Sequence, residues 1–399
     1  MTSESFDYRG TVDELMPGVI ADRRHLHQHP ELAFHEYETA AFIAERLQAL
    51  GVEDIRTGVG KTGVTGLIKG TGAQGSGKVL MVRADMDALP ILEENEVDYV
   101  SQNPGVMHAC GHDSHVSMML GTTKVLMDRR GDFAGTVKVL FQPAEEGGGG
   151  AMAMRAAGAL EDPKVDAAMG LHIWQDIPTG DVWVRDNTAM VGVSGFTITI
   201  YGKGGHGAQP DIAIDPIVIG STIVNALLTL VSREKNPVVP EVVSIGSFRS
   251  GNAANVIPDT AVLKGTIRSV TRAQGDDVKT RLQALTEGIA TSMGARAEVE
   301  FAGAAPPLIN DPELAQLVRD AVAEGIGQDH VSQGNLMSVS EDFGEFLDPV
   351  PGCYFFVGSR NEDKGFIYGH HHPRFDIDEE AMAVGIESMS RAAVKYLQS

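Results

Sequence analysis

The sequence predicts a two-domain α/β protein, in which a mixed or parallel sheet has helices on both faces and an inserted domain has ferredoxin-like order. Its 399 residues exceed the size at which one hydrophobic core keeps growing. Helical and strand patterns alternate through the first half, which favours an α/β layer architecture. From about residue 192 the order becomes β-α-β-β-α-β, which predicts a second domain that is complete in itself.

In the first half, residues 36–50 have apolar positions at helical spacing. Strands are predicted in VTGLIKG and KVLMVRAD, followed by a helix over 112–129, a buried strand in TVKVLFQPAEE, a short helix near 151–157 and a strand in VDAAMGLHI. Open α/β sheets bind their substrates at the carboxyl ends of their strands. Because Glu145, Glu146 and His172 lie at such ends, we expect the functional site there.

The inserted domain is predicted over residues 192–304. Its strands cover residues 193–203, 241–250, 260–269 and 295–303, and its helices cover 215–232 and 271–293. The chain then returns to helices, one apolar strand in GCYFFVG and a closing helix over 378–398. Residues 1–191 and 305–399 are therefore predicted to form one discontinuous domain.

The composition excludes several classes of partner. The 32 basic and 54 acidic residues give a formal charge of -22, which argues against nucleic acid and against an anionic membrane surface. We find no run of roughly 18 apolar residues and no N-terminal basic region followed by an apolar run, and so expect a cytoplasmic protein without a membrane span. Two cysteines, Cys110 and Cys353, fit a reducing compartment.

Residues 72–78, GAQGSGK, have the spacing of a phosphate-binding loop. Val79 stands where that loop needs Ser or Thr, and a strand follows in place of a helix. These residues are therefore predicted to form a hairpin loop.

The segment MHACGHDSH places the thiol of Cys110 two residues from the imidazole of His112. With only one other cysteine in the chain, neither a disulfide framework nor a four-cysteine zinc site can be built. A buried cysteine beside a capping histidine is the alternative for Cys110 alone. The other histidine and carboxylate clusters, in FQPAEEGGGG, GLHIWQ and YGHHHPRFD, favour a mixed metal site.

Glu145 and Glu146 are adjacent after a buried strand, where two carboxylates repel each other and lose hydration. A metal centre would remove that cost. Strand alternation sends neighbouring side chains in different directions, so one glutamate can ligate while the other acts as a base on the attacking water. A solvated acidic loop is the alternative.

His172 and one of the three histidines at 370–372, for which we select His371, complete a ligand set. Five ligands exceed the four of a closed structural zinc site, which indicates two divalent ions per subunit that share a thiolate. Zn²⁺ suits thiolate and imidazole, and the carboxylates also admit Mn²⁺, Co²⁺ or Ni²⁺. The remaining histidines near these motifs are interpreted as structural or supporting: His25, His27, His29, His35, His108 and His115.

Read in order, several motifs resemble the aminoacylase and carboxypeptidase family of co-catalytic metallopeptidases, in the branch of hippurate hydrolase and auxin-conjugate amidohydrolases. They are HQHPELAFHE, RADMDALPI, MHACGHDSH, FQPAEEG, GKGGHGAQP, GNAANVIPD, SEDFG and HHPRFD, and they span nearly the whole chain. The resemblance implies that Cys110 bridges two ions, with Glu146 and His371 completing one site and His112 and His172 the other. It implies that Glu145 is the general base, which takes a proton from the attacking water and hands it to the leaving amine.

The resemblance also implies roles for residues outside the ligand set. Asp85 matches a carboxylate that orients a metal-bound imidazole, while Arg83 stands where distant members carry a metal-binding histidine. His206 matches a histidine that reaches the partner subunit's active site and stabilises the oxyanion, which implies a homodimer. Asn255 and Arg268 match positions that hold the substrate carboxylate. From the residues alone, His206 would be interpreted as a loop histidine and Arg268 as an exposed strand arginine.

The predicted function is a metal-dependent amidohydrolase that cleaves N-acetyl, N-benzoyl or similar N-acyl amino acids to a carboxylic acid and a free amino acid. Residues 1–191 and 305–399 would then be the metal-binding catalytic domain, and residues 192–304 the lid and dimerisation domain. A dipeptidase or carboxypeptidase with the same metal centre is the alternative within enzymes. A non-catalytic dimeric binding protein is the alternative outside them, although a binder has no need of Glu145 as a base.

Overall fold

The protein is built from alternating helices and strands, as the computed structural model describes for residues 6–75 and 77–399. Residues 1–5, and Ser76 within the predicted hairpin loop, lie outside the described residues. The helices are α1 (Tyr8–Gln28), α2 (Tyr37–Ala49), α3 (His112–Asp128), α4 (Gly150–Ala156), α5 (Pro216–Thr229), α6 (Arg272–Ser292), α7 (Pro312–Ile326), α8 (Gly344–Leu347) and α9 (Glu380–Gln398). The strands are β1 (Glu53–Val59), β2 (Gly63–Lys69), β3 (Val79–Asp85), β4 (Thr136–Gln142), β5 (Ala167–Pro178), β6 (Val182–Trp183), β7 (Asn187–Met190), β8 (Gly192–Tyr201), β9 (Gly205–His206), β10 (Glu241–Ser250), β11 (Val256–Ile257), β12 (Thr260–Ser269), β13 (Arg296–Ala305), β14 (Leu308–Asn310), β15 (Val331–Ser332) and β16 (Gly352–Arg360).

The chain forms two compact units. The first contains the chain up to Ala189 together with Ile309–Asn335 and Asp342–Ser399, and the second contains Met190–Leu308 and Leu336–Glu341. The short segment Leu336–Glu341 falls within the range predicted for the catalytic domain. A bridge between Met190 and Met337, and a hydrogen bond from the Val191 N–H to the Met337 oxygen at 3.1 Å, hold it within the second unit.

An eight-stranded mixed sheet forms the centre of the first unit, in the order β1-β2-β4-β3-β5-β16-β6-β15. Its middle strands β4, β3, β5 and β16 are parallel, whereas β1 and β2 pair with their neighbours in antiparallel fashion. Strand β6 is antiparallel to β16 and parallel to β15. The predicted hairpin over residues 72–78 is wrong, because β4 lies between β2 and β3 and separates the two strands that this loop connects.

The parallel strands of this sheet are apolar along their length because both of their faces are buried. Helix α3 is buried almost all round and packs against α1, α9 and the sheet. Helix α1, which begins where the Asp7 side chain accepts the Gly10 N–H, also buries two polar residues, Arg23 and His27. The core of this unit therefore contains charge close to the ligand-bearing helix α3.

The second unit has the β-α-β-β-α-β order that the sequence predicts. Its antiparallel sheet runs β10-β12-β8-β13, and α5 and α6 pack on it around a separate core that includes Ile198, Ile223, Leu263 and Leu282. A capping box at Thr271 starts α6. The predicted α/β class with an inserted ferredoxin-like module is confirmed.

Helix α5 continues through a π-helical turn to Glu234. Among the described residues, Pro216–Glu234 is the one helix with the length and apolar composition of a membrane span, a test that core helices of soluble proteins also pass. Only 33% of the most apolar 18-residue stretch of this helix is buried, and Val218 and Leu228 are among its exposed side chains.

Candidate metal centre

The candidate site lies where β3 ends beside β5, and His172, which was expected at the end of a strand, lies inside the longer strand β5. Asp85 ends β3, and His172 on β5 lies two residues beyond Gly170, the partner of Arg83 in the parallel ladder. Asp85 and His172 therefore reach the same level of the sheet. Cys110 precedes α3 through Gly111, whose φ of 86° is left-handed and where a Cβ would lie 2.5 Å from Ile173 Cδ1. Only glycine allows the chain to pass this close to β5.

Asp87 fixes the turn that carries the paired glutamates after β4. Its Oδ1 accepts the N–H of Glu145 and its Oδ2 accepts the N–H of Glu146, each at 3.0 Å. Ala144, the residue before Glu145, has a φ of 53°. Buried Glu36 holds it in place by accepting its backbone N–H at 3.0 Å. Asp87 is not among the predicted site residues, although it is the second aspartate of RADMD and lies two residues beyond the predicted Asp85.

The same residue orients His112. The imidazole Nδ1 of His112 donates to the main-chain oxygen of Asp87 at 2.8 Å, so the neutral ring carries its lone pair on Nε2. That Nε2 is buried and has no hydrogen-bond partner. Asp85 Oδ2 lies 3.7 Å from Nε2, on the lone-pair side of the His112 ring, so Asp85 does not orient this particular imidazole. The orienting contact to His112 therefore comes from Asp87.

Cys110, His112 and Glu146 converge at one point, with one ligand atom of each within 4.8 Å of the others. Glu146 Oε1 is buried without a hydrogen-bond partner, and His371 Nε2 approaches it to 3.1 Å without the geometry of a hydrogen bond. Buried polar atoms without partners are rare in proteins. A divalent cation would satisfy both Glu146 Oε1 and His112 Nε2, so the residues present fit a metal ion.

A second group adjoins the first and consists of Asp85, His112, His115 and His172. His115 has both ring nitrogens occupied, because Nδ1 lies 2.5 Å from Asp85 Oδ1 and Nε2 accepts the Ile173 N–H at 3.0 Å. His172 donates from Nδ1 to the Ile173 oxygen at 2.5 Å, and its Nε2 lies 3.5 Å from Cys110 Sγ. His172 therefore offers a lone pair towards Cys110, whereas His115 offers none.

The three consecutive histidines face different surroundings, because His371 has a left-handed φ of 65°. His370 Nδ1 lies 3.9 Å from Cys110 Sγ. His371 lies beside Glu146, and its backbone N–H donates to the Ala109 oxygen at 2.8 Å. His372 stacks on Tyr368 with 4.5 Å between ring centroids. Of the three, His371 is the one that contacts Glu146.

The pKa values of Cys110 and His112 indicate that both side chains hold protons when no cation is bound. Burial, and then Glu146 and Glu145, raise the pKa of the Cys110 thiol well above its usual range. Burial opposes charge on His112, yet Asp85, Asp87 and Glu146 together raise its pKa from 6.5 to about 10. Without a cation the cluster therefore retains protons on sulfur and on imidazole, and a divalent ion would replace them.

Arg83 supplies a fixed buried charge next to this cluster. Its guanidinium donates to Asp85 Oδ2 at 2.7 Å, to Gln142 Oε1 at 2.8 Å and to Asp342 Oδ1 at 3.3 Å. Asp342, from the SEDFG motif, also donates its backbone N–H to Glu145 Oε1 at 3.4 Å. Arg83 thus connects Asp85 to Asp342, the residue that contacts Glu145. Because its guanidinium is engaged in these contacts, Arg83 has no ligand role of its own.

The N-terminal histidines make other contacts. His27 is fully buried between Asp113 Oδ2 at 2.8 Å and Glu93 Oε1 at 3.1 Å. His25 stacks on Phe42, and His29 Nδ1 bonds to the His25 oxygen. Among the described residues, none of the N-terminal histidines belongs to a group that could hold a metal ion.

The predicted residues of the inserted domain lie within the second unit. His206 pairs with Val256 across the ribbon formed by β9 and β11, and the Gly207 N–H donates to the Asn255 oxygen at 2.8 Å. His206 and Asn255 are thus close together and exposed. Arg268 lies on β12, where its Nη1 donates to the Ser338 oxygen at 3.2 Å.

The sequence of the chain matches the model of peptidase family M20/M25/M40 over residues 81–395. The chain belongs to this family. It is therefore a hydrolase of the metal-dependent amidohydrolase and peptidase class.

Relatives of this M20 protein cover nearly all of it. YhaA of Bacillus subtilis (strain 168), whose name assigns it to the amidohydrolases, is 42% identical over 97% of this chain and 96% of its own. Thermostable carboxypeptidase 2 of Saccharolobus solfataricus is 38% identical over 97% of this chain and 98% of its own. N-acetyl-L-cysteine deacetylase of Bacillus subtilis is 38% identical over 96% of this chain and 88% of its own.

A solved structure shows the same fold as this M20 protein. The YXEP protein of Bacillus subtilis, described as a dinuclear metal-binding peptidase of the M20 family, superposes with a TM-score of 0.83 at 34% identity. The match covers 96% of this chain and 98% of that one.

Proposed function

We propose that this protein hydrolyses N-acyl amino acids, including N-acetyl or N-benzoyl forms, to a carboxylic acid and a free amino acid. The observation that carries the proposal is the convergence of Cys110, His112 and Glu146, with Glu146 Oε1 and His112 Nε2 buried and without a hydrogen-bond partner. The adjacent Glu145 has its backbone held by Asp87. A ligand cluster with a carboxylate beside it suits metal-assisted hydrolysis of an amide.

The proposed ligands are Cys110, His112, Glu146, His172 and His371, which would hold two divalent ions with Cys110 shared between them. The dinuclear description of the related YXEP protein supports this number. Zn²⁺ is our first choice for a set with thiolate and imidazole, and Mn²⁺, Co²⁺ or Ni²⁺ would also fit its carboxylate. When bound, such ions lower the pKa of a coordinated water and polarise the amide carbonyl.

Glu145 is the proposed general base. Its backbone N–H donates to Asp87 Oδ1 and its Oε1 accepts the Asp342 N–H, so the backbone and the carboxylate of Glu145 are each held by one contact. From this position Glu145 would take a proton from the attacking water and deliver it to the nitrogen of the leaving amine. A base that is positioned in this way typically contributes about 100- to 10,000-fold to the rate.

The second unit would supply contacts to the substrate. We propose that His206 stabilises the oxyanion in the active site of a partner subunit, and that Asn255 and Arg268 hold the substrate carboxylate. The exposure of His206 suits a residue that acts outside its own unit. The exposed apolar side chains of α5, including Val218 and Leu228, support a homodimer formed through this unit. We propose a cytoplasmic location for the enzyme.

A carboxypeptidase or dipeptidase is the second candidate function. It is favoured by the 38% identity to a protein named as a thermostable carboxypeptidase. The same metal ligands and base would serve a peptide bond, so only the groups that contact the acyl and leaving parts of the substrate separate the two functions.

The test is release of free amino acid from matched panels of N-acetyl amino acids, N-benzoyl amino acids and dipeptides. Protein stripped with a chelator is compared with the same protein after Zn²⁺, Mn²⁺ or Co²⁺ is restored. Metal-restored release from the acyl panel supports the proposal, and release only from dipeptides would move the function to a peptidase. No release despite bound metal would leave a binding protein.

A further inference from the structure

We propose that His370 donates an N–H hydrogen bond to the sulfur of Cys110 and thereby tunes this thiolate as a metal ligand. His370 is then a positioning residue that does not bind the metal. The inference rests on the proposed function, because it concerns the ligand role of Cys110.

The position of the proton on His370 follows from its backbone partner. The N–H of Gln175 donates to His370 Nε2 at 3.3 Å. A backbone N–H can only donate, so Nε2 must carry the lone pair and Nδ1 must carry the proton of the neutral ring. Nδ1 lies 3.9 Å from Cys110 Sγ, which is within the distance over which an N–H donates to sulfur. The ring therefore directs its donor at Cys110, where both the sulfur and the backbone lie within its reach.

His172 shows the opposite arrangement on another side of the same sulfur. Its Nδ1 donates to the Ile173 oxygen, which only accepts, so the lone pair of His172 is on Nε2. That Nε2 lies 3.5 Å from Cys110 Sγ. Without a metal ion the Cys110 thiol can donate its proton to this lone pair, and a cation held by both atoms would replace that proton. The His370 N–H can only donate to the sulfur. The tautomers thus separate His172, a ligand, from His370, a donor.

The His370 ring is held in this orientation by two aromatic neighbours. Its centroid lies 4.7 Å from that of Trp174 and 5.0 Å from that of Phe375. Trp174 precedes Gln175 on β5, so the same strand supplies both the ring contact and the N–H that sets the tautomer. Rotation of the ring that exchanged its two nitrogens would lose the Gln175 bond.

A hydrogen bond to a thiolate stabilises the sulfur lone pairs and lowers the electron density that sulfur gives to a metal ion. His370 would moderate this donation, and it would also fix the direction of the sulfur lone pairs.

The test uses the Co²⁺-loaded full-length protein and reads its thiolate-to-cobalt charge-transfer absorption, which does not depend on activity. His370→Phe keeps an aromatic ring between Trp174 and Phe375 but removes the donor. His370→Asn places an amide N–H near the position of Nδ1. His372→Phe is the matched control, because His372 stacks on Tyr368. Cys110→Ser identifies the band.

We expect His370→Phe to move the band to longer wavelength, because an unbonded thiolate gives up its electrons more easily. His370→Asn and His372→Phe should leave the band near its wild-type position. An unchanged band in His370→Phe would overturn the role of His370 while the ligand role of Cys110 stands. Absence of the band in the wild type, or its persistence in Cys110→Ser, would instead remove Cys110 as a ligand and this inference with it.

A second measurement needs no stable variant of the site. In Zn²⁺-loaded protein labelled with ¹⁵N-histidine, the ring nitrogen shifts report the tautomer directly. The Nδ1–H form of His370 is expected, with an unprotonated Nε2. The Nε2–H form, or coordination through Nδ1, would overturn the proposal.

Discussion

The buried imidazole of His27 should make the stability of the first unit depend on pH. Its Nδ1 lies 2.8 Å from Asp113 Oδ2 and its Nε2 lies 3.1 Å from Glu93 Oε1. Burial opposes the charged ring, but the two carboxylates outweigh it and raise the pKa from 6.5 to about 9. Because the folded-state pKa lies above the unfolded value, the stabilisation is complete below about pH 6.5 and is lost as the pH rises through about 9.

The size of the effect follows from the pKa difference of His27. One pKa unit corresponds to about 1.4 kcal/mol, so the rise from 6.5 to about 9 corresponds to about 3 kcal/mol of unfolding free energy. The perturbation is His27→Gln, which removes the titrating group. We expect the wild type to lose about 3 kcal/mol of stability relative to His27→Gln between about pH 6.5 and pH 9.5.

The assay is urea unfolding of both proteins at fixed pH values, in the presence of a chelator so that metal binding does not contribute. The fluorescence of Trp174 and Trp183 reports on the first unit, which contains both residues. His35→Gln is the control, because His35 is exposed. A difference between wild type and His27→Gln that stays constant across this pH range would refute the reasoning.

Four further predictions concern the proposed centre and the residues around it. Glu145→Gln should retain metal content and fold while lowering turnover by about 100- to 10,000-fold, and near-normal turnover would remove Glu145 as the base. Asp87→Asn leaves one of two backbone N–H groups without its carboxylate partner, so the affinity for Zn²⁺ measured against a chelator should fall by about 10- to 100-fold; unchanged affinity would show that Asp87 does not position the ligands. Arg83→Met leaves Asp85 and Asp342 without their buried cation and should cost about 3–5 kcal/mol in urea unfolding, whereas a cost below about 1 kcal/mol would contradict the ion-pair account. His206→Ala should lower turnover without metal loss, and mixed dimers with Glu145→Gln should regain activity; a purely monomeric protein would contradict the partner-supplied role.

Strands and helices with strong periodicity were predictable from the sequence. The helix over residues 36–50 and the strands of the inserted module follow from side-chain alternation and helical spacing, and the structure places them within a few residues. Helix α1 is absent from the predictions because it turns Arg23 and His27 towards the core, and a polar residue at a core position does not register in an apolar pattern.

The pairing of strands within the sheet was harder to predict than the positions of the strands along the chain. Residues 72–78 were predicted as a hairpin loop because two strands flank a short glycine-rich segment. The structure instead inserts β4 between β2 and β3, and β4 lies more than 50 residues further along the chain. Local sequence carries no record of such long-range pairing.

Within the site, residue types were predictable but contacts were not. The motif RADMD offers two aspartates, and only the folded chain shows that Asp87 holds the backbone of both glutamates. The three histidines at 370–372 are equivalent by composition. The left-handed backbone at His371 separates them in space, and a single φ value of this kind cannot be read from a run of identical residues.

The central claim is that bound metal at this cluster enables amide hydrolysis. The most direct measurement is a titration of Zn²⁺ into chelator-stripped protein, in which bound metal per chain and release of amino acid from an N-acyl amino acid are recorded together. The proposed ligand set predicts that activity is absent without metal and reaches its plateau at about two ions per chain, and that Cys110→Ser shows neither full occupancy nor the plateau. Hydrolysis that is independent of metal, or full binding and activity in Cys110→Ser, would contradict the claim.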